Sequence, residues 1–132
     1  MANQGRHRYP MENLGENRVR IGGRFFPNGS SALVAADNIG TTGWTVARTS
    51  TGLFTVTLDD VWQYFMDKSC SLSEATATDK IAKFGAESTS SKTIVIVCWD
   101  ISDAAVADAT ADAGTFIDWG VTVKRGANSG KR

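Results

Sequence analysis

The sequence predicts an all-β protein, a jelly-roll-like β-sandwich with an extended N-terminal arm. Three observations support this fold class: apolar and polar residues alternate in several short segments, turn-forming residues separate these segments, and no segment has a clear helical period. The 132 residues suffice for one domain with its own core, and 42% hydrophobic with 21% charged residues is typical of globular chains. We divide the chain into an arm (residues 1–24), a sandwich domain (25–125) and a basic tail (126–132).

The arm shows neither a strand nor a helical period and carries a net charge of +3. Residues 124–132 add +4, so residues 25–123 carry −7 in a chain whose net charge is zero. Basic ends on an acidic body predict that the ends dock on an acidic surface, such as another copy of the body; the alternative is that both ends are solvated. The arm residues expected to dock are Arg6, His7, Arg8, Tyr9, Arg18, Arg20 and Arg24.

The first part of the sandwich is predicted to contain a β-hairpin. The segments PNG (27–29) and IGTTG (39–43) are typical of turns and loops. In GWTVARTSTGLFTVTL (43–58), Trp44, Val46, Phe54, Val56 and Leu58 alternate with threonine and alanine on either side of SerThrGly. This period of two predicts paired strands with outward threonines.

The second part of the sandwich is predicted to hold four more strands. Residues 61–70 read as a strand followed by a polar loop, and 80–88 as a strand with Ile81 and Phe84 inward, with a helical turn as the alternative. Residues 92–100 are apolar on both faces, as expected of a central strand. Residues 101–114 fit either a short helix or a long loop, and 114–125 form a final strand with Ile117, Trp119, Val121 and Val123 on one face.

No residue pattern in the sequence predicts catalysis or a cofactor. His7 is the only histidine and has no candidate nucleophile near it, so we expect a protein that is not an enzyme. The aspartates at 100, 103, 108, 112 and 118 do not have calcium-loop spacing and are interpreted as a solvated acidic loop, and GANSGKR (126–132) lacks phosphate-loop spacing. We therefore expect no metal and no cofactor.

Partners and cellular location are predicted from the same composition. Arginines beside Tyr9 could contact nucleic acid, but the acidic body would repel phosphates, so no nucleic acid is expected. No apolar run is long enough for a membrane helix, and the N-terminus lacks the apolar region of a signal peptide, so neither a membrane nor general secretion is expected. Cys70 and Cys98 are interpreted as buried free thiols, with a disulfide as the alternative.

The four tryptophans are a large number for a chain of this size, and core packing explains most of them. Tryptophan is also enriched at subunit interfaces. The candidates for a subunit interface are Trp44, Trp62 and Trp119.

One family resemblance bears on function. The stretch GRFFPNGSSALVAADNIGTTGWTVARTSTGLFTVTLDD, followed by KTIVIVCWD and GTFIDWGVTV, resembles small virion proteins of tailed bacteriophages, namely trimeric capsid decoration (cement) proteins or heads of short fibres. The order of strands and turns is also similar to trimeric jelly rolls of the C1q/TNF-like type. The resemblance covers about residues 22–124 and rests on strand and turn cadence.

The resemblance implies a homotrimer at the capsid surface of a virion, made in the host cytoplasm during assembly. It implies that the arm contacts the major capsid protein or a neighbouring subunit and so stabilises the phage head. The alternative is a fibre head or adhesin that recognises a host receptor or glycan. Residues 1–24 hold neither Gly-X-Y repeats nor heptads, the stalks usual in C1q-like heads, which favours decoration.

Overall fold

The computed structural model describes residues 12–15, 18–34, 38–40, 42–111 and 113–124, and these contain β-strands and no helix. Alternating side chains and intervening turn residues define the strands, as the sequence predicts. Their bounds are β1 (Glu12–Gly15), β2 (Arg18–Phe25), β3 (Ile39–Gly40), β4 (Trp44–Ser50), β5 (Leu53–Leu58), β6 (Tyr64–Ser73), β7 (Lys80–Ser88), β8 (Thr93–Asp100), β9 (Ala105–Val106) and β10 (Phe116–Lys124).

The strands form two antiparallel sheets, and the predicted β-sandwich is confirmed. Sheet A has the order β1-β2-β10-β6, with the two-residue β3 also paired to β2. Sheet B has the order β4-β5-β8-β7, with β9 paired to β8. In sheet B, β8 lies between β5 and β7, so the hairpins β4–β5 and β7–β8 stand side by side, while β6, which lies between β5 and β7 in the chain, belongs to sheet A.

The core lies between the two sheets and is formed by the inward residues of four long strands. The rings of Phe25 in sheet A and Phe54 in sheet B meet with their centroids 5.2 Å apart. The predicted inward sets of β5 and β10 are confirmed, since these side chains are fully or almost fully buried. The fully buried side chains include Ile21, Phe25, Phe54, Val56, Leu58, Ile94, Ile96, Cys98, Ile117, Val121 and Val123.

The predicted boundary of the arm at residue 24 is wrong, because residues 18–25 form β2 inside sheet A. Ile21 and Phe25 of β2 enter the core, and the whole strand pairs with β10 from Arg18 opposite Lys124 to Phe25 opposite Ile117. The adjacent Gly22 and Gly23 hide this alternation in the sequence. A Cβ on Gly23 would lie 2.5 Å from the Ile39 carbonyl oxygen and 2.6 Å from the Trp44 ring, so glycine is needed for this close approach.

Two further expectations are corrected by the structure. Residues 80–88 form β7, so the helical-turn alternative is wrong, and Ile81 faces outward with 42% of its side chain exposed while Ala82 and Phe84 pack on the core. The described part of 101–114 contains β9 and turns and no helix. Asp100 favours the turn, because its carboxylate accepts hydrogen bonds from the Ser102 hydroxyl and the Asp103 amide.

Candidate interaction surfaces

The outer face of sheet A carries two arginines that are held by their own domain. The Arg20 guanidinium lies over Gly120, where a Cβ would come within 2.6 Å of it. It donates to the Thr122 hydroxyl (3.2 Å), the Ser69 hydroxyl (2.9 Å) and the Asp67 carbonyl. Arg20 therefore ties β2 to both β10 and β6.

Arg24 forms a bidentate ion pair with Asp118 on the neighbouring strand. Its Nε and Nη2 lie 2.7 and 3.2 Å from the two carboxylate oxygens. The guanidinium also stacks on Phe116, 3.7 Å from the ring centroid. The hydrogen bonds that Arg24 donates to Asp118 raise the pKa of Arg24 above its ordinary value.

The structure thus shows different surroundings for the arginines that the sequence analysis assigned to one docking arm. Arg20 and Arg24 are engaged within sheet A, and their docking on a partner stays a prediction. Arg18 is exposed at the end of β2, opposite Lys124. Arg6, His7, Arg8 and Tyr9 lie outside the described residues.

The three tryptophans proposed for a subunit interface lie in or against the core. Trp62 and Trp119 are only 4% and 5% exposed, which leaves them little surface to offer a partner. Trp44 is half-buried and packs edge-on against Trp119, with ring centroids 5.1 Å apart. Core packing, the other interpretation of the tryptophans, is what the structure shows for all three.

The outer face of sheet B is uncharged over two rows of side chains. The first row places Thr45, Thr57, Thr93 and Ser88 side by side across four strands, and the second places Ala47 beside Thr55 and Val95. These residues alternate with core residues such as Phe54, Val56, Ile94 and Ile96, so they face away from the core. We call these seven residues, Thr45, Ala47, Thr55, Thr57, Ser88, Thr93 and Val95, the threonine face.

The row next to the threonine face holds Leu53, Val97 and Lys83, and the row beyond it holds Ile81 and Trp99. Leu53 lies opposite Val97, which is 9% exposed, and Ile81 lies opposite Trp99. Lys83 stands over the Trp99 ring, 4.2 Å from its centroid. The threonine face lies toward the Thr93 end of β8, one row from Lys83, whose ammonium group is directed to Trp99 on the far side.

A largely buried ion pair between Arg48 and Asp108 connects the acidic loop to the β4–β5 hairpin. Both Asp108 carboxylate oxygens accept from Arg48, with Nε and Nη2 at 2.9 and 2.8 Å, and one of them also accepts from the Gly52 amide at 2.9 Å. The side chains of the pair are 17% and 18% exposed. The hydrogen bonds from Arg48 hold the pKa of Asp108 below its ordinary value. Asp108 is thus a structural anchor, where the sequence predicted a solvated carboxylate.

The two cysteines are free thiols, which confirms that prediction over the disulfide. Cys98 is fully buried in β8 of sheet B, and Cys70 is half-buried in β6 of sheet A. Burial raises the pKa of each thiol to about 11.

A shallow groove of about 320 Å³ lies where β5 leads into β6, beside the turn between β7 and β8. Its two exposed apolar side chains are Val61 and Tyr64, with 61% and 52% of their surface accessible. The lining residues are Val61, Trp62, Gln63, Tyr64, Thr89 and Ser90.

Comparison of the chain with protein-family models, curated proteins and solved structures found no match. Within the described ranges, no three His, Cys, Asp or Glu side chains are grouped so that they could hold a metal ion. In the same part of the chain, no helix has the length and apolar character needed to span a membrane.

Sequence reasoning missed the arginines of sheet A and the anchor of the acidic loop. The segment RVRIGGRF (18–25) does alternate basic and apolar residues, a strand signal that could have been found by accepting glycine at one outward position (Gly22) and one inward position (Gly23). The pairing of Arg48 with Asp108 spans 60 residues of sequence and had no local signal.

Proposed function

We propose that the protein is a structural virion protein, a phage capsid decoration protein that binds the major capsid protein and neighbouring copies of itself. The proposal combines the resemblance to small virion proteins with one surface, the threonine face. We expect the threonine face to lie against the shell or a neighbouring subunit. A homotrimer remains the expected assembly.

The threonine face supports this role because of its chemistry. Burying an ionic group in an interface costs several kcal/mol unless it is well paired, and neutral hydroxyls carry a much smaller cost. The row of four hydroxyl residues at a strand spacing of about 4.8 Å also suits a surface of matching polarity. Seven adjacent residues without a charge, in a body of net charge −7, form a surface that can dock with little desolvation cost.

The test is binding to shells assembled from the major capsid protein encoded in the same genome. The variant Thr55→Glu puts a charge in the middle of the threonine face, and Ser71→Glu puts the same charge on the exposed outer side of sheet A. We expect Thr55→Glu to weaken co-sedimentation with shells at least tenfold and Ser71→Glu to leave it unchanged. Equal binding by both variants would remove the threonine face from the interface, and a genome without a major capsid protein would end the proposal.

A second experiment examines the N-terminal residues. Deletion of residues 1–24 would remove β2 and unfold sheet A, so the informative truncation removes residues 1–11 only. We expect this truncated protein to remain folded and to bind shells more weakly, because Arg6 and Arg8 are lost. Shell binding at full strength would exclude the arm from attachment.

The groove at Val61 and Tyr64 favours a second candidate function, a fibre head or adhesin. An exposed aromatic ring beside hydroxyl groups is a common element of glycan recognition surfaces. On this alternative, Tyr64→Ala abolishes binding to host cells or a glycan array, whereas Thr55→Glu does not. The decoration function predicts the reverse pattern on shells.

A further inference from the structure

β4 is an outermost strand of sheet B, and one of its two edges has no pairing partner among the described strands. A free edge exposes a row of backbone N–H and C=O groups that can pair with another chain. Proteins usually block such edges with lysines, prolines, irregular pairing or very short strands. The edges of this sandwich can be compared by these devices.

The other described edges carry blocking devices. β7 holds Lys80, Lys83 and Glu87, and its pairing is irregular between Phe84 and Glu87. In β6, Asp67 has a positive φ of 50° and lies where the pairing with β10 is irregular, and Lys68 follows it. β1 is four residues long and irregular, and β3 and β9 have two residues each.

β4 has few of these devices. It runs for seven residues without proline or lysine, and its pairing with β5 is regular from Trp44 to Arg48, with one irregularity next to the hairpin turn. Its one charged residue, Arg48, is on the inward side and bonded to Asp108. The outward residues Thr45, Ala47 and Thr49 are exposed and neutral.

The regular part of β4 is also complementary to itself. In an antiparallel pair centred on Val46, Val46 meets its own copy, Thr45 meets Ala47 and Trp44 meets Arg48. No like charges face each other in this register, which is the main penalty in cross-strand pairing. The threonine faces of the two copies would continue into one another across the junction.

We propose that β4 pairs antiparallel with β4 of a second copy and joins two B sheets into one continuous sheet. The contact deepens the self-association in the proposed function by naming its surface, and it forms in the isolated protein with or without a shell. The pairing is twofold, because the same strand is offered by both copies. Two trimers joined by such pairs satisfy this symmetry together with the expected homotrimer.

The test is the mass of the isolated protein by sedimentation equilibrium over a wide concentration range. The double variant Thr45→Lys with Ala47→Lys places lysines opposite lysines in the proposed pair. The charge-matched control is Ser71→Lys with Ala86→Lys, at exposed positions of β6 and β7. Urea unfolding of all three proteins checks that each is folded.

We expect the wild-type mass to be that of six chains, the β4 variant to have the mass of three chains, and the control to match wild type. A wild-type protein that stays monomeric, or a trimer whose mass the β4 variant does not change, would overturn the edge pairing. Either result leaves the shell-binding test intact, since that test uses Thr55 in the middle of the face. If Thr55→Glu loses shell binding but keeps the wild-type sedimentation mass, the threonine face is supported as the shell contact independently of the β4 pairing.

A second measurement needs no variant. Hydrogen exchange of the wild-type β4 amides is followed on dilution, because pairing at the edge protects amides that a free edge exposes to water. We expect protection in residues 44–48 to fall as the protein is diluted, while protection in β8 stays constant. Protection of β4 that does not depend on concentration would contradict pairing between copies.

Discussion

The turn of the β4–β5 hairpin provides the most discriminating test of how this sandwich is held together. Gly52 has a φ of +66° and is buried beneath the chain that leaves β9. A Cβ there would lie 2.8 Å from both the amide nitrogen and the carbonyl oxygen of Ala107, and 2.9 Å from the Cys98 carbonyl oxygen. All of these atoms belong to the backbone, so a side chain at position 52 cannot be accommodated by a rotamer change.

The variant Gly52→Ala should therefore lose stability in two ways. The left-handed backbone conformation costs an alanine about 1 to 2 kcal/mol. Relief of the clash must move the chain at Ala107 and weaken two hydrogen bonds, from the Cys98 amide to the Gly52 carbonyl (2.7 Å) and from the Gly52 amide to Asp108 (2.9 Å). Hydrogen bonds of this kind contribute about 1 kcal/mol each, and about 2 where a charged group accepts. We expect a total loss of about 3 to 5 kcal/mol in the free energy of unfolding.

Gly29→Ala is the matched control. Gly29 has nearly the same φ, +59°, but its added Cβ would meet only the Ala111 side chain, at 3.9 Å. This variant should lose only the conformational part, about 1 to 2 kcal/mol. The assay is urea unfolding followed by tryptophan fluorescence, where a slope of about 1 to 3 kcal/mol per molar urea separates the two midpoints by roughly 1 M or more. Equal midpoints for the two variants would refute the close packing of β9 on the hairpin.

Three further predictions concern single side chains. Arg48 lowers the pKa of Asp108 from 3.8, so the stability that this carboxylate contributes is present above pH 3.8 and is lost as the pH falls through the lower pKa of the folded state. In acid-dependent unfolding, the stability of Asp108→Asn should therefore change less with pH below 3.8 than the stability of wild type. Burial raises the pKa of Cys98 from 9.0 to about 11, so the native thiol should resist alkylation near neutral pH and react only in denaturant. For the same reason, the free energy of unfolding should fall as the pH rises from 9 to 11. Fast alkylation of the native thiol would contradict its burial. Ile96 is fully buried, so Ile96→Ala should lower the free energy of unfolding in urea by about 2 to 5 kcal/mol. Ile101 is 57% exposed, so Ile101→Ala should change it by less than about 0.5 kcal/mol. Similar losses in the two variants would place Ile96 outside the core.

Much of the fold could be predicted from local patterns. The alternation in 44–58 assigned the inward and outward residues of the hairpin, and the apolar run at 93–100 became β8, a strand with β5 on one side and β7 on the other. Such patterns are readable because successive side chains of a strand point to opposite faces. The same logic failed at Ile81, because Ile81 and Phe84 are three residues apart and cannot both face inward in a regular strand; Phe84 faces the core as predicted, together with Ala82.

The candidate site was less predictable, because the ion-pair partner of a charged side chain can lie on a neighbouring strand that is distant in the sequence. Arg24 looked like part of a basic arm, yet Asp118 is 94 residues away and becomes its cross-strand neighbour when β2 pairs with β10. Trp119 was a candidate interface residue in the sequence, but in the structure it is buried between the two sheets and packs against Trp44.

The sequence by itself determined that this chain is an all-β protein, which faces of its hairpin and last strand are apolar, and that its hairpin face is neutral. Only the tertiary structure decided that β2 lies inside sheet A, that Arg20 and Arg24 are bonded within the domain, and that Thr45, Thr57, Thr93 and Ser88 form one row. The physical reason is that a period of two fixes the direction of a side chain relative to its own strand. The choice of neighbouring strand and register depends on contacts between residues far apart in the chain.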